Sequence, residues 1–421
     1  METKLFKRII AVLLILSAGI ISLYAGGEGE QAGTKEKITF LTTDAVNFRG
    51  QLEEFIREFN ASSSKYEVVG TFSGVVDDLF VTGLQSNKPH DITFVSIEGA
   101  TPYMGTNRIG TLPESFIQKI KPTLYEYVMT TVTVDGKVYG VPYNFYPDWG
   151  QIMINDTLWA EAGVDPRSAK NWDEFMALCQ KVTKFDSAGK MIQSGFSAER
   201  NSHSYFMDRI VQLGGIVFND DGSAAFNNAI GKQAVQNYVD IYLKWKNDDP
   251  LFGGSIDSFK RGSVAAMRGM PWFASILDKD TPNLKYSFIP VPQFQNTEPL
   301  WPLASMWAHI ISKQAEKKDG VWEFLEFLLE PERMVRWALY SGELPAVESA
   351  ANDARIKQDK ILAHFVDAMQ YGVGTNVTYW ASRDIRNVMA SMLQSVIHGQ
   401  STIDDALAKA AAEVTRLNKQ R

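Results

Sequence analysis

The chain has 421 residues, a formal net charge of −7, 45% apolar and 22% charged residues, and a single cysteine. This excludes intrinsic disorder, a collagen-like repeat and a disulfide scaffold, and its length predicts two or three domains. The acidic balance argues against nucleic acid as a partner, because non-specific binding to phosphates needs a basic patch. In chain order, Lys4, Lys7 and Arg8 precede an uncharged apolar run, Ile9 to Ile21, and Leu23-Tyr24-Ala25 ends in small-residue fashion before Gly26. The run is shorter than the ~20 apolar residues of a membrane span, so residues 1–25 read as a cleaved signal peptide, with a retained anchor as the alternative. Cleavage would leave a mature chain near −9. The sole cysteine, Cys179, is far from that junction, so no lipid-anchor cysteine is present and a soluble, exported, periplasmic or extracellular protein is expected.

Residues 26–36 form a polar, glycine-rich tether. Beyond it Ile38 to Thr42 alternates as a strand, and Leu52, Phe55, Ile56 and Phe59 take the spacing of one buried helix face. Tyr66 to Val69 predicts a strand, Val75 to Leu84 a helix, and Asp91 to Val95 a strand. Alternating strands and helices give an α/β class with a mostly parallel sheet. Asn171 and Glu174 read as an N-cap and its N3 partner on a helix running to Val182, with Cys179 on the apolar face of that helix. Phe218 to Ser223 is a tight turn; it lacks the alternating ligands and closing Glu of a calcium loop. Ala229 to Trp245 is helical, Gly320 to Leu339 is an amphipathic helix with a break at Pro331, and Ile403 to Leu417 carries the buried face of a terminal helix.

Catalytic signatures are absent. The five histidines, His90, His203, His309, His364 and His398, are not spaced as metal ligands, and there is no Walker A loop, dinucleotide fingerprint or nucleophile elbow. No cofactor, metal or catalytic residue is assigned, and paired carboxylates for glycoside hydrolysis, which carry no motif, stay open.

Several blocks resemble one family. Asp135-Gly136-Lys137-Val138-Tyr139-Gly140-Val141-Pro142, Ile154 to Asp165 and Asn171-Trp172-Asp173-Glu174-Phe175 resemble the central block of extracellular solute-binding protein family 1, the carbohydrate-binding components of ABC importers. Lys88-Pro89-His90-Asp91-Ile92, Phe259 to Met267, Pro290-Val291-Pro292 and Gly342 to Ala346 agree with the family pattern in order and spacing. Ile154 replaces the usual Tyr, and Asp156-Thr157 the usual Lys-Asp. The resemblance spans about residues 37 to 417. It implies two α/β lobes joined by hinge strands, a periplasmic-binding-protein fold, with solute in the cleft. Lobe 1 would be residues 37–147 with 304–345, and lobe 2 residues 148–303 with 346–421. Ligand would favour closure, because only the closed form lets both lobes touch it, and the monomer would then dock on the permease.

A sugar needs flat aromatic platforms and side chains that donate and accept hydrogen bonds. Trp159, Trp172, Trp245, Trp322 and Trp337 lie in helical patterns and read as core; Trp149, Trp272, Trp301, Trp307 and Trp380 lie in loops or strand ends and are candidate platforms. By family position the site would add Thr43, Asp44, Ser96, Glu98, Tyr143, Asn144, Asp148, Phe273, Ser305, Tyr379 and Arg383. Arg383, facing an acid across the cleft, would orient hydroxyls. The expected function is capture of a mono- or oligosaccharide for an ABC permease. The alternatives are the same fold with a polyamine, phosphorylated polyol or peptide, a chemosensory binder, and a secreted glycan-active enzyme.

Overall fold

A computed structural model describes residues 35–420 except 146–149, 199–201, 295–299, 304–306 and 375–382. The predicted signal peptide and nearly all of the tether therefore lie outside the described residues. The first elements follow the sequence pattern: β1 (Glu36–Thr43), α1 (Arg49–Ser62), β2 (Tyr66–Ser73), α2 (Val76–Gln85) and β3 (Ile92–Ser96), then the single turn α3 (Ile97–Ala100). Leu52, Phe55, Ile56 and Phe59 are buried on α1, as their spacing requires. After β4 (Gly140–Pro142) come β5 (Gln151–Asn155), α4 (Trp172–Val182), α5 (Ser202–Gln212) and α6 (Ala229–Leu243). Then follow β6 (Ala266–Arg268), α7 (Pro271–Asp280), β7 (Tyr286–Pro290) and β8 (Trp307–Ile311). The chain ends with α8 (Asp319–Leu328), α9 (Pro331–Ser341), α10 (Arg383–Ile397) and α11 (Ile403–Lys419).

Two sheets organise these elements. The larger has strand order β2-β1-β3-β8-β4, parallel among β2, β1 and β3 and antiparallel where β8 meets β3 and β4. The smaller, β6-β5-β7, is antiparallel throughout. The chain passes from one to the other between β4 and β5 and back between β7 and β8. Around the larger sheet pack α1, α2, α8 and α9; α10 packs on α5, α6 and α11. Near the crossings Asn144–Phe145 pairs antiparallel with Leu344–Pro345.

Local chemistry explains the boundaries. Asn171 Oδ1 accepts the Glu174 N–H at 2.9 Å, capping α4, while Glu174 accepts the Lys170 N–H. Pro331 stands at the first turn of α9, where a missing N–H costs nothing, so the predicted long helix is two helices. At 218–223 the Asn219 and Ser223 backbones close the turn, and Asp221 Oδ1 accepts the Ser223 N–H. Cys179 is fully buried, and burial pushes its thiol well above the ordinary range. The core of the larger sheet is aromatic: His309 stacks on Phe94 at 4.7 Å, flanked by Phe40 and Tyr143, and Trp337 closes against Tyr143.

Candidate functional site

In α/β sheets, ligands bind outside the carboxyl ends of the parallel strands, where loops diverge. Here those ends are Thr43 and Asp44 after β1, Ser73 after β2, and Ser96 to Glu98 after β3. Ser96 Oγ accepts the Gly99 N–H at 3.0 Å, capping α3, and donates to Asp77 Oδ2 on α2 at 2.7 Å. Thr43 Oγ1 accepts the Ala45 N–H, and Asp44 lies beside Gly74. Directly across from Ser96 in the sheet register is Trp307, the first residue of β8. Its indole is partly buried, edge-on to Phe48 at 5.6 Å and tilted against Phe94 at 5.3 Å. One rigid sheet end thus presents an aromatic ring, the Ser96 hydroxyl and several carboxylates, while Thr43 is buried.

The opposing wall comes from the elements around the smaller sheet. Arg386 on α10 forms an ion pair and hydrogen bond with Glu98, their side chains 20% and 23% exposed. Burial raises the Glu98 carboxyl above its usual range, against the pull of Arg386; Asp77 raises it further and Arg383 lowers it. Behind Arg386 lie His203 on α5 and Arg268 at the end of β6. Burial first, then the positive charges of Arg386 and Arg268, hold the His203 imidazole down to about 3, so it is neutral at ordinary pH. Arg268 pairs with the fully buried Asp208 at 2.5 Å and lies over the Tyr205 ring at 3.8 Å.

The expected residues separate into groups. Thr43, Asp44, Ser96, Glu98 and Trp307 gather at the end of the larger sheet. Arg383 begins α10, exposed, one turn before Arg386. Trp272 is partly buried in the first turn of α7, whose Pro271 and Ser275 abut Gly342 near the strand pair 144–145/344–345. Tyr143 and Phe273 need correction: both are in the core, 0% and 1% exposed, Tyr143 against Phe94 and His309, Phe273 against Phe259. Asn144 is fully buried too; its amide donates to Glu343 and its oxygen accepts the Trp307 N–H, which makes it part of the crossing between sheets. Asp148, Trp149, Ser305, Tyr379 and Trp380 lie outside the described residues, as does the side chain of Trp301, whose backbone pairs with Gly372.

Arg386, Asp77, His203 and Arg268 were not expected from the sequence. For Arg386 the only signal was its place one helical turn beyond Arg383. Among the described residues no group of three or more His, Cys, Asp and Glu gathers to hold a metal ion, and no helix is long and apolar enough to cross a membrane.

Comparison with known proteins bears on this geometry. Residues 57–364 match the family model described as bacterial extracellular solute-binding protein. The arabinooligosaccharide-binding protein of Bacillus subtilis (strain 168) is 23% identical over 339 residues, 76% of this chain and 76% of that one. An ABC transporter solute-binding protein from Thermotoga lettingae, bound with alpha-D-tagatose, superposes with a TM-score of 0.75 at 20% identity over 91% of this chain and 100% of that one. The cyclic alpha-maltosyl-1,6-maltose binding protein from Arthrobacter globiformis gives 0.75 at 22% identity over 92% and 100%. These two likenesses carry the fold.

Proposed function

Because the chain belongs to the bacterial extracellular solute-binding proteins, we propose that it captures a carbohydrate between two lobes and delivers it to the permease of an ABC importer. The observation that carries this reading is the register pair Trp307 and Ser96, which sets an aromatic face beside hydroxyl and carboxylate groups at a rigid sheet end, opposite the α10 arginines. A sugar needs such an arrangement: C–H faces stack on the indole while paired donors and acceptors take the hydroxyls. The saccharide specificities named for its relative from Bacillus subtilis and for its structural neighbour from Arthrobacter globiformis support the same class. The ligand set is Thr43, Asp44, Ser96, Glu98, Trp272, Trp307, Arg383 and Arg386, with Asp148, Trp149, Trp301, Ser305, Tyr379 and Trp380 as further candidates.

Lobe 1 is residues 37–147 with 304–345 and lobe 2 the remainder from 148. The placement of all five strands of the larger sheet within residues 36–142 and 307–311, and of the smaller within 151–290, supports this. Contacts of Val347 with Leu124 and of Arg355 with Glu332 draw the start of the last segment towards lobe 1. The protein is exported by residues 1–25 and works as a monomer.

A second reading, an anionic cargo such as a phosphorylated polyol, is favoured by Arg383 and Arg386 on successive turns, since guanidinium groups suit phosphate. Glu98 already occupies Arg386, which leaves the neutral sugar ahead. Calorimetric titration against mono- and oligosaccharides and a glycerol phosphate, with chromatography of each mixture, tests both. Micromolar binding of an unchanged sugar supports the main reading; binding of the phosphate alone supports the second; a shortened sugar would make the protein an enzyme.

A further inference from the structure

Glu98 and Arg386 sit on different sides of the cleft. Glu98 belongs to α3, which continues directly from β3 of the larger sheet; Arg386 belongs to α10, packed on α5, α6 and α11. Their ion pair therefore joins the end of the larger sheet to the helix on the other side of the cleft.

The groups around the pair are arranged by sign. On the side of Glu98 stands Asp77, bonded to Ser96. On the side of Arg386 stand Arg383, one turn earlier, and Arg268, behind His203. Glu98 thus has Asp77, and Arg386 has Arg383, as a like-charged neighbour on its own side, with opposite charge across the gap; Arg268 is already paired with Asp208. Burial opposes this: it raises the Glu98 carboxyl, and desolvation cancels much of the attraction of a mostly buried pair. The net bias is small, as a contact that must open to admit solute requires.

We propose that Glu98 and Arg386 are positioning residues that form an electrostatic latch, populating a closed conformer before any solute binds. The proposal rests on the two-lobe reading but not on the identity of the cargo. Its test uses solute-free protein with a distance probe on each lobe, at Ser64→Cys and Ser187→Cys; both positions are exposed, and the native thiol at Cys179 is buried and unlabelled. Pulsed dipolar spectroscopy reads the interlobe distance distribution as salt is raised from about 50 mM to about 1 M, where screening shrinks to about 3 Å.

The closed-to-open ratio is expected to fall roughly fivefold over the salt series. Glu98→Gln and Arg386→Gln should show that fall already at low salt, and the reversed pair, Glu98→Arg with Arg386→Glu, should restore the closed population. A distribution indifferent to salt and to both single variants would overturn the latch. So would single variants that open the protein while the reversed pair fails to close it, since the two residues would then act separately. A sugar panel without a hit would sink the proposed cargo and leave these distances unaffected.

Discussion

Asn144 holds Trp307 in place: its side-chain oxygen accepts the Trp307 backbone N–H at 3.0 Å, while its amide donates to a Glu343 carboxylate oxygen at 3.0 Å. Both Asn144 and Glu343 are buried, so the strand pair at the crossing between sheets and the indole at the candidate site share one set of hydrogen bonds. Asn144→Ala removes a donor and an acceptor from that set and should lower stability by about 1–3 kcal/mol. Asn144→Asp should cost more, since two buried carboxylates in contact cannot both ionise. The new carboxyl would titrate above its unfolded value, so the deficit should shrink as pH falls. Urea midpoints at neutral and acid pH check both; unchanged midpoints would remove Asn144 from this role.

The platforms divide by burial. Trp307→Ala and Trp272→Ala remove partly exposed indoles and should each weaken sugar binding at least tenfold, for stacking and area worth about 1.5–3 kcal/mol. Tyr143→Phe should leave affinity alone, because Tyr143 is fully buried and its hydroxyl has no hydrogen-bond partner among the described residues. Phe273→Ala should cost about 3–5 kcal/mol of stability with little direct effect on the ligand. Calorimetry beside denaturant unfolding separates the two classes, and tryptophan variants within twofold of wild type would end the platform idea.

What the sequence disclosed depended on range. Periodicity located the first five elements, and single residues located ends: Asn171 capped α4, and Pro331 divided the predicted 320–339 helix into α8 and α9. Those signals act within a turn or a strand. The fates of Tyr143 and Asn144 depend on partners at Trp337 and Glu343, about two hundred residues away, and nothing local distinguishes a buried strand end from a cleft wall. Arg386 was missed for the same reason. On an amphipathic helix it resembles a solvent-facing arginine, and only the fold brings it to Glu98. Trp307 is partly buried at the start of its strand, the exposure that its loop-flanked position, unlike a helical one, predicts.

His309 predicts an acid limb to stability. It is fully buried, neither ring nitrogen has a hydrogen-bond partner among the described residues, and burial pushes the imidazole down from 6.5 to about 3. A depressed folded value means that the unfolded chain takes up the proton first, so the contribution is complete above about pH 6.5 and is lost as pH falls towards 3. His203 acts in the same direction. His309→Leu should lose roughly 3 kcal/mol less than wild type between about pH 7 and pH 4. At neutral pH it should not be destabilised, since two unpaired polar atoms leave the core. Parallel acid limbs for the two proteins would contradict this assignment.

Gly342 offers the sharpest test of the contact between α9 and α7. It ends α9 in the left-handed conformation, φ +75°, which a side chain adopts only at a cost. A Cβ there would also stand 2.3 Å from Ser275 Oγ and 3.1 Å from the Pro271 carbonyl oxygen of α7. The hydroxyl can rotate away, but the carbonyl belongs to the helix that carries Trp272. Gly342→Ala should therefore lose about 1–3 kcal/mol and shift the first turn of α7. The double variant Gly342→Ala/Ser275→Ala removes the hydroxyl contact and keeps the backbone strain and the carbonyl contact. If crowding by Ser275 dominates, the double variant should recover much of the stability in urea and return solute affinity towards wild type. If backbone strain dominates, both proteins should unfold at the same midpoint, and Gly342 would be a helix terminator with no hold on Trp272.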